Sequence, residues 1–290
     1  MNPLADDAAT DPQDSELVTS ARAGSRESLE LLITRHQAWI YNIARRMLYN
    51  PFDAEDATQE ILIKVITKLG AFESRSSFRT WLYRIVVNHL LNMKRGRSES
   101  GGWDFARYAQ ALDATPDADI PDANSTAADA MLLVDEAKIV CTTGMLLCLD
   151  REQRLIYILG EIIGVSDRVG ADLLDVTREN FRQKLARARR DLHSFLQNKC
   201  GLVNHDNPCR CAKKTQGFMK AGYVNPERLL FVKERITRVN EVAGTACRAL
   251  STLDDAYGDI YRSHPFHDSP DFVGHLRSLF EQPEFRSLWS

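Results

Sequence analysis

Three cysteines and one histidine lie within twelve residues of this chain, at Cys200, His205, Cys209 and Cys211. Thiolate and imidazole groups are the usual protein ligands of zinc, and thiolates also suit copper(I). The Cys209-x-Cys211 spacing is tighter than the Cys-x-x-Cys of common zinc knuckles. The segment therefore predicts one of two things: a zinc or copper(I) site, or unligated thiols in a loop that caps a helix. No other cofactor is expected.

Two stretches of the chain are rich in basic residues and poor in acids. Six bases and no acid lie in Arg75–Arg97, and six bases with one acid lie in Arg178–Arg190. A solvated helix face usually mixes positively and negatively charged side chains, so these stretches favour a polyanionic partner such as DNA. The candidate contacts are Arg75, Arg79, Arg84, Lys94, Arg95, Arg178, Arg182, Gln183, Lys184 and Arg187.

The sequence argues against an enzyme, a secreted protein and a membrane protein. Its 290 residues contain no glycine-rich phosphate loop, nucleophile elbow or helical pair of metal-binding histidines. Five acids precede the first base, Arg22, whereas a secretory signal begins with positive charge. No apolar run reaches the ~20 residues that span a bilayer. We therefore expect a cytoplasmic protein with no membrane partner and no catalytic activity.

Apolar residues recur at helical spacing through most of the chain, which predicts an all-α fold. Asp53, which follows Pro51, is predicted to cap the second helix of the first domain. A heptad seam over Leu229–Ile260 predicts a long helix packed on its own domain, and Asp268–Phe280 predicts a short one. The expected organisation is a disordered acidic N-terminus (1–15), a helical domain (16–97), a flexible acidic linker (98–126), a second helical domain (127–197) and a cysteine-containing helical extension (198–290).

The second domain has the sequence pattern of a helix-turn-helix. Ser166 can cap a short helix, and Thr177 can cap the next one. Asp175 can occupy the turn between them because aspartate tolerates left-handed backbone geometry. The second helix would bury Phe181 and turn its basic residues outwards, where they can reach phosphates and base edges in a major groove.

Together these segments resemble the extracytoplasmic-function (ECF) group of bacterial sigma factors over about Glu16–Gln197. Asp53–Ile61 is similar to the polymerase-binding helix of the family's region 2. Phe78–Ile85, together with Asn88, is similar to its promoter-melting helix. The region 4 helix is matched by Phe181, Arg182, Leu185, Ala188, Arg189 and Leu192. Where the family has a large aliphatic residue in the first region 4 helix this chain has Gly170, which we expect to weaken helix propensity and packing there.

The resemblance implies a role in transcription initiation with core RNA polymerase and with promoter DNA, both double-stranded and melted. Region 2 would bind the clamp helices of the polymerase and capture an unstacked base of the minus-ten element, for which the Ala71–Ser77 loop is the candidate pocket. Region 4 would read the minus-thirty-five element, and an anti-sigma factor is a further candidate partner. By resemblance, Asn88 joins the DNA contacts and the polymerase-binding residues are Asp53, Glu55, Asp56, Gln59 and Glu60.

Two other functions stay open from the residues alone. A dimeric helix-turn-helix regulator would need a dimerisation element and one basic reader, without an acidic helix that faces polymerase. A structural protein built on the heptad seam would bind no DNA at any salt concentration. The apolar face of the cysteine-containing extension can pack on the adjacent region 4. If it packs there, a metal ion bound in the cysteine loop would fix or release the extension and so regulate access to DNA or polymerase.

Overall fold

The computed structural model describes residues 4, 11–119, 127–227, 229, 253–264, 266–267 and 269–280. In these ranges the regular structure is helical, apart from an isolated bridge between Cys200 and Cys209. The predicted all-α fold is confirmed. Among the described helices, none is long and apolar enough to cross a membrane. The greater part of the predicted Leu229–Ile260 helix lies outside the described residues.

In chain order, the described helices are α1 Pro12–Arg22, α2 Arg26–Leu48, α3 Pro51–Leu69, α4 Phe78–Asn92, α5 Arg97–Ser100, α6 Phe105–Ala114, α7 Ala127–Met145, α8 Arg151–Tyr157, α9 Asp167–Leu174, α10 Arg178–Lys199, α11 Cys211–Lys220, α12 Leu253–Arg262 and α13 Phe272–Phe280. A 3-10 turn, Leu146–Cys148, follows α7, and a π-helical turn, Ile158–Ile162, follows α8.

The chain divides into two compact units. The first comprises residues 1–98, 158–183 and 267–290, and the second comprises residues 99–157 and 184–266. In the first unit α2 packs against α1 and α3, and α3 packs against α4. Ile40, Ile61 and Leu82 are almost fully buried at these contacts, which makes them the centre of its apolar core.

The start of α3 differs from the prediction. Asn50, rather than Asp53, is the N-cap, because its side-chain oxygen accepts hydrogen bonds from the backbone N–H groups of Phe52 (2.8 Å) and Asp53 (3.3 Å). Pro51 occupies the first helical turn, where its missing N–H needs no partner. Asp53 therefore lies inside the first turn, where its charge suits the helix dipole.

The predicted flexible linker contains a helix in the second unit. Helix α6 places Phe105 5.2 Å from the ring of Phe195, measured between ring centroids. The Tyr108 hydroxyl donates a 2.7 Å hydrogen bond to the carbonyl oxygen of Cys141. Leu112, one turn further on, is buried. The prediction of flexibility is wrong for this stretch, because an apolar face at three- and four-residue spacing outweighs the polar composition of the segment as a whole.

The described helices of the C-terminal extension pack against both units' earlier elements. In the second unit α12 lies on α7, and His264 follows it with Nε2 2.9 Å from the Thr142 hydroxyl. In the first unit α13 lies on α2, and the rings of Tyr41 and Phe272 are 5.9 Å apart. Helix α12 therefore packs on region 4 as expected, whereas α13 packs on α2 of the first unit instead.

Candidate nucleic-acid interface

Helix α3 presents an acidic face to solvent. Its opposite face buries Ala54, Ala57 and Ile61 in the first unit. Asp56 and Glu60 are exposed one turn apart, and the other predicted contacts, Asp53, Glu55 and Gln59, are half-buried. Since a β-carbon built at Gly96 would overlap the Asp53 carboxylate, Asp53 faces the segment that follows α4. The charge offered to a partner is therefore concentrated at Asp56 and Glu60.

Helix α4 carries the predicted promoter-melting residues on its outer face. Arg84 and Asn88 are exposed one turn apart, and Lys94 and Arg95 are exposed just beyond the helix end. Arg75 is exposed in the preceding loop, where it pairs with Glu73. These residues combine four positive charges with an amide, which are the groups that contact phosphates and base edges.

Arg79 has a different environment from the other bases of α4. It is 8% exposed, and its Nε donates a 2.7 Å hydrogen bond to the buried carboxylate of Asp14. Arg35 and His36 bind the same carboxylate at 2.8 and 3.2 Å. Burial raises the pKa of Asp14, but these hydrogen bonds outweigh it and hold the pKa well below its ordinary value. Arg79 therefore fixes α1 to α4, and its predicted contact with DNA would require its release from this carboxylate.

A cavity of about 430 Å³ opens beside the Ala71–Ser77 loop in the first unit. Its lining includes Phe72, Phe78, Ser74 and Ser76, together with Thr19 and Arg22 of α1. Phe72 and Phe78 also contact Trp81, with ring centroids 5.2 and 5.7 Å away. The cavity falls in the size range of small-ligand sites and joins aromatic surfaces to hydroxyl groups. Such a lining suits a planar base.

The helix-turn-helix has the predicted local geometry. The Ser166 hydroxyl accepts from the N–H of Val169 at 3.3 Å, and the Thr177 hydroxyl accepts from the N–H of Asn180 at 3.1 Å. Asp175 has the left-handed conformation, with φ 55° and ψ 46°. Gly170 lies against the ring of Phe181 so closely that a β-carbon would overlap it. The expectation that Gly170 weakens packing is therefore wrong, because the glycine allows α9 and α10 to approach.

The outer face of α10 presents most of the predicted reader residues. Arg178, Arg182, Gln183 and Arg187 are exposed. Lys184 is less available, because in the second unit it forms an ion pair with Glu152 and only 26% of its side chain is exposed. A helix that carries arginines and an amide on one face suits contacts to a DNA groove.

The comparisons with known proteins point to one family. The sequence profile of the Sigma-70 region 2 family matches residues 32–99. The chain is 37% identical to RNA polymerase sigma-H factor of Pseudomonas aeruginosa over 90 residues, which are 30% of this chain and 47% of that protein. It is 29% identical to ECF sigma factor SigM of Mycobacterium tuberculosis over 63% of this chain and 84% of that protein. With ECF sigma-E factor of Escherichia coli the identity is 28%, over 63% of this chain and 94% of that protein. The chain therefore has a Sigma-70 region 2 match and is similar to ECF sigma factors over 63% of its length.

In this sigma factor the acidic and the basic helix both fall inside the region 2 match. Helices α3 and α4 lie within residues 32–99, whereas α9 and α10 follow that range. The region 2 match therefore includes Asp56 and Glu60 on one helix and Arg84 and Asn88 on the next.

The predicted metal ligands of the sigma factor are only partly brought together. Cys200, Cys209 and Cys211 line a common cavity in the second unit. His205 is exposed, and its carbonyl oxygen accepts a 2.8 Å hydrogen bond from Arg210. Within the part of the chain that the structure describes, no three or more His, Cys, Asp or Glu side chains are placed as a ready coordination group. Cys141 of α7 lines the same cavity, and its distance along the sequence hid it from the motif.

Proposed function

We propose that this ECF sigma factor, which acts in transcription initiation, binds core RNA polymerase through α3 and promoter DNA through α4 and α10. The observation that carries the proposal is the division of charge within region 2. Exposed acids of α3 (Asp56, Glu60) suit a basic protein surface, while the exposed groups of α4 (Arg84, Asn88) suit DNA. The names of the sigma-H, SigM and sigma-E relatives, which are RNA polymerase sigma factors, support the same assignment.

The cavity beside the Ala71–Ser77 loop supports a role in DNA opening. Extruding a base from duplex DNA costs a few kcal/mol, which is recovered when a pocket receives the base and stacks it. The Phe72 and Phe78 rings supply aromatic surface at the cavity, and Ser74 and Ser76 supply hydroxyl groups. Exposed basic side chains on α4 and just after it are available to hold the separated DNA strand. We infer that the cavity receives a base of the minus-ten element.

Helix α10 is the proposed reader of the minus-thirty-five element. Arg182 and Gln183 are exposed near its N-terminal end, the part of a recognition helix that enters the major groove. We expect no catalytic activity and a cytoplasmic location, where polymerase and promoters are found. An anti-sigma factor stays a candidate partner of the same surfaces.

The full-length chain tests the proposal when it is mixed with core RNA polymerase from its own bacterium. We expect a stable complex and transcription starts, mapped genome-wide, that are absent with core polymerase alone. A dimeric helix-turn-helix regulator would instead be dimeric in a solution mass measurement and would direct no starts. That result, or starts no more frequent than the core-only background, would overturn the proposed function.

A further inference from the structure

Four cysteine side chains from three elements of the second unit line one cavity. They are Cys141 of α7, Cys200 at the end of α10, and Cys209 and Cys211 at the start of α11. Cys200 is buried and the other three are half-buried. The main chains of Cys200 and Cys209 are paired in the isolated bridge, which holds the loop between them closed.

The cavity has the size of a site for one atom. Its volume is about 10 Å³, close to the space that a single water molecule requires. Leu112, Met145 and Leu202 supply apolar lining, so the sulphur atoms are the principal soft donor groups at the cavity. Lys138 and Lys199 bring positive charge to its edge. A void of this kind, among four thiols, suits one soft ion.

Other groups are placed to stabilise negative charge on the sulphurs. Backbone N–H groups of Leu202 and Val203 donate hydrogen bonds to the Cys200 sulphur. Lys214 interacts electrostatically with Cys209, and Lys138 with Cys211. Backbone N–H groups and nearby cations are the outer-shell partners that thiolate ligands of a metal use.

We propose that Cys141, Cys200, Cys209 and Cys211 bind one zinc ion through four thiolates, with Cys141 as the fourth ligand in place of His205. Four sulphur ligands in a closed site are typical of structural zinc. The side chains turn inwards around the ion, and each thiol releases one proton to solvent. The site then carries a formal charge of about −2, from four thiolates and one divalent ion. Lys138 and Lys214 offset part of this charge.

Zinc at this cavity would join α7 to the end of α10 and the start of α11. These elements come from region 4 and from the C-terminal extension. The ion would therefore attach the extension to the DNA-reading helix of the sigma factor. Zinc binding requires the four thiols and none of the residues proposed to contact the promoter.

The test uses the full-length protein, purified in a reducing buffer without chelator and titrated with zinc against a chromophoric chelator. We expect one zinc per chain in the wild type, and an affinity at least about 100-fold weaker in Cys141→Ser. The matched controls are Cys148→Ser, which removes a half-buried thiol outside the cavity lining, and His205→Ala. Both should bind zinc as the wild type does. Substitution with cobalt(II) should give the charge-transfer absorption of tetrahedral thiolate ligation.

A measurement on the wild type covers the case in which Cys141→Ser fails to fold. Alkylation of each cysteine, followed by mass spectrometry, should show zinc-dependent protection of the four cavity thiols and unchanged labelling of Cys148. Absence of stoichiometric zinc would overturn the proposal. So would unprotected Cys141, or loss of zinc in His205→Ala with retention in Cys141→Ser, since these results assign the ion to another ligand set.

Discussion

Arg84 of α4 and Asp172 of α9 form an ion pair in the first unit, with Nη2 and Oδ1 2.5 Å apart. The Arg84 Nε also donates to the backbone carbonyl oxygen of Asp172 at 3.3 Å. Arg84 is a proposed contact of region 2 with DNA, and Asp172 belongs to the first helix of region 4. The carboxylate therefore occupies a donor group that a phosphate would use, and DNA binding at Arg84 requires its displacement.

Asp172→Asn should strengthen binding of the free sigma factor to a single-stranded minus-ten oligonucleotide. The side chains of Arg84 and Asp172 are 44% and 52% exposed, and exposed pairs contribute ~0.2–1 kcal/mol, so we expect a gain of up to about fivefold. Fluorescence anisotropy measures the affinity. Asp175→Asn, at an exposed aspartate three residues further on in the turn after α9, makes the same change in net charge without touching the pair. An equal gain in both variants would attribute the effect to overall charge.

Reversing the exposed charges of α3 should weaken binding to core polymerase. Asp56→Lys with Glu60→Lys removes two attractive groups and adds two repulsive ones at the proposed interface. We expect at least tenfold weaker binding in a competition assay with core polymerase. Glu27→Lys, an exposed reversal on α2, is the control and should bind as the wild type does. Unchanged affinity of the double variant would identify α3 as an ordinary solvated face.

Alanine substitution of the basic residues Arg182 and Lys184 of α10 should weaken promoter binding to different extents. The Arg182 side chain is 65% exposed and its ion pair with Asp167 is long, at 3.5 Å, whereas Lys184 is 26% exposed and closely paired with Glu152. Arg182→Ala should therefore weaken binding to a minus-thirty-five duplex more than Lys184→Ala does. If Arg182 contacts a phosphate, Arg182→Ala should lower the slope of log affinity against log salt concentration by about one. If Arg182 reads a DNA base, the variant should lose ~1–3 kcal/mol of binding free energy at one base-pair position. Equal losses, or none, would contradict the assigned face.

Asp14→Asn should destabilise the first unit, because it removes the buried negative charge that Arg79, Arg35 and His36 share. Asp11 is then the remaining carboxylate paired with Arg79. Breaking a buried ion pair costs ~3–5 kcal/mol, measured here by chemical denaturation at pH 7. The pKa of Asp14 is lowered in the folded state, so its contribution is complete above about pH 4 and is lost as the pH falls towards the folded-state value. The difference in stability between wild type and variant should therefore shrink below pH 4. Glu16→Gln, at an exposed acid of the same helix, should show little difference at either pH.

Gly170→Ala should destabilise the helix-turn-helix, although alanine has the higher helix propensity. The added carbon overlaps the Phe181 ring, and overpacking of this kind costs ~1–3 kcal/mol. Thermal unfolding followed by circular dichroism measures the change. Gly70→Ala is the matched control, since a β-carbon there meets nothing within 4 Å. A gain in stability at Gly170→Ala would show that α9 moves away from α10 at little cost.

Features with a local cause could be predicted from the sequence. The capping by Ser166 and Thr177 and the left-handed Asp175 depend on residues within three positions of one another. The exposed acids of α3 follow from helical periodicity. The N-cap of α3 is Asn50 and not the predicted Asp53, because the two residue types have similar capping propensities and Pro51 at the first helical position favours Asn50.

Features that depend on distant parts of the chain could not be predicted in this way. The structural role of Arg79 depends on Asp14, which lies 65 residues earlier. Cys141 joins the other three thiols only because α7 packs against α11. Charge and spacing identify a basic stripe or a cysteine motif, but the partner of each side chain is decided by tertiary packing.

The contact between Tyr41 and Phe272 sets the order of events during synthesis of the protein. The two residues are separated by 231 positions, and both are buried in the first unit. At about 5–20 residues per second, a ribosome needs roughly 10–50 s to travel from one to the other. During this interval α2 is outside the ribosome without α13. The first unit therefore reaches its final form only after Phe272 has been translated, and until then the face of α2 around Tyr41 is not covered by α13.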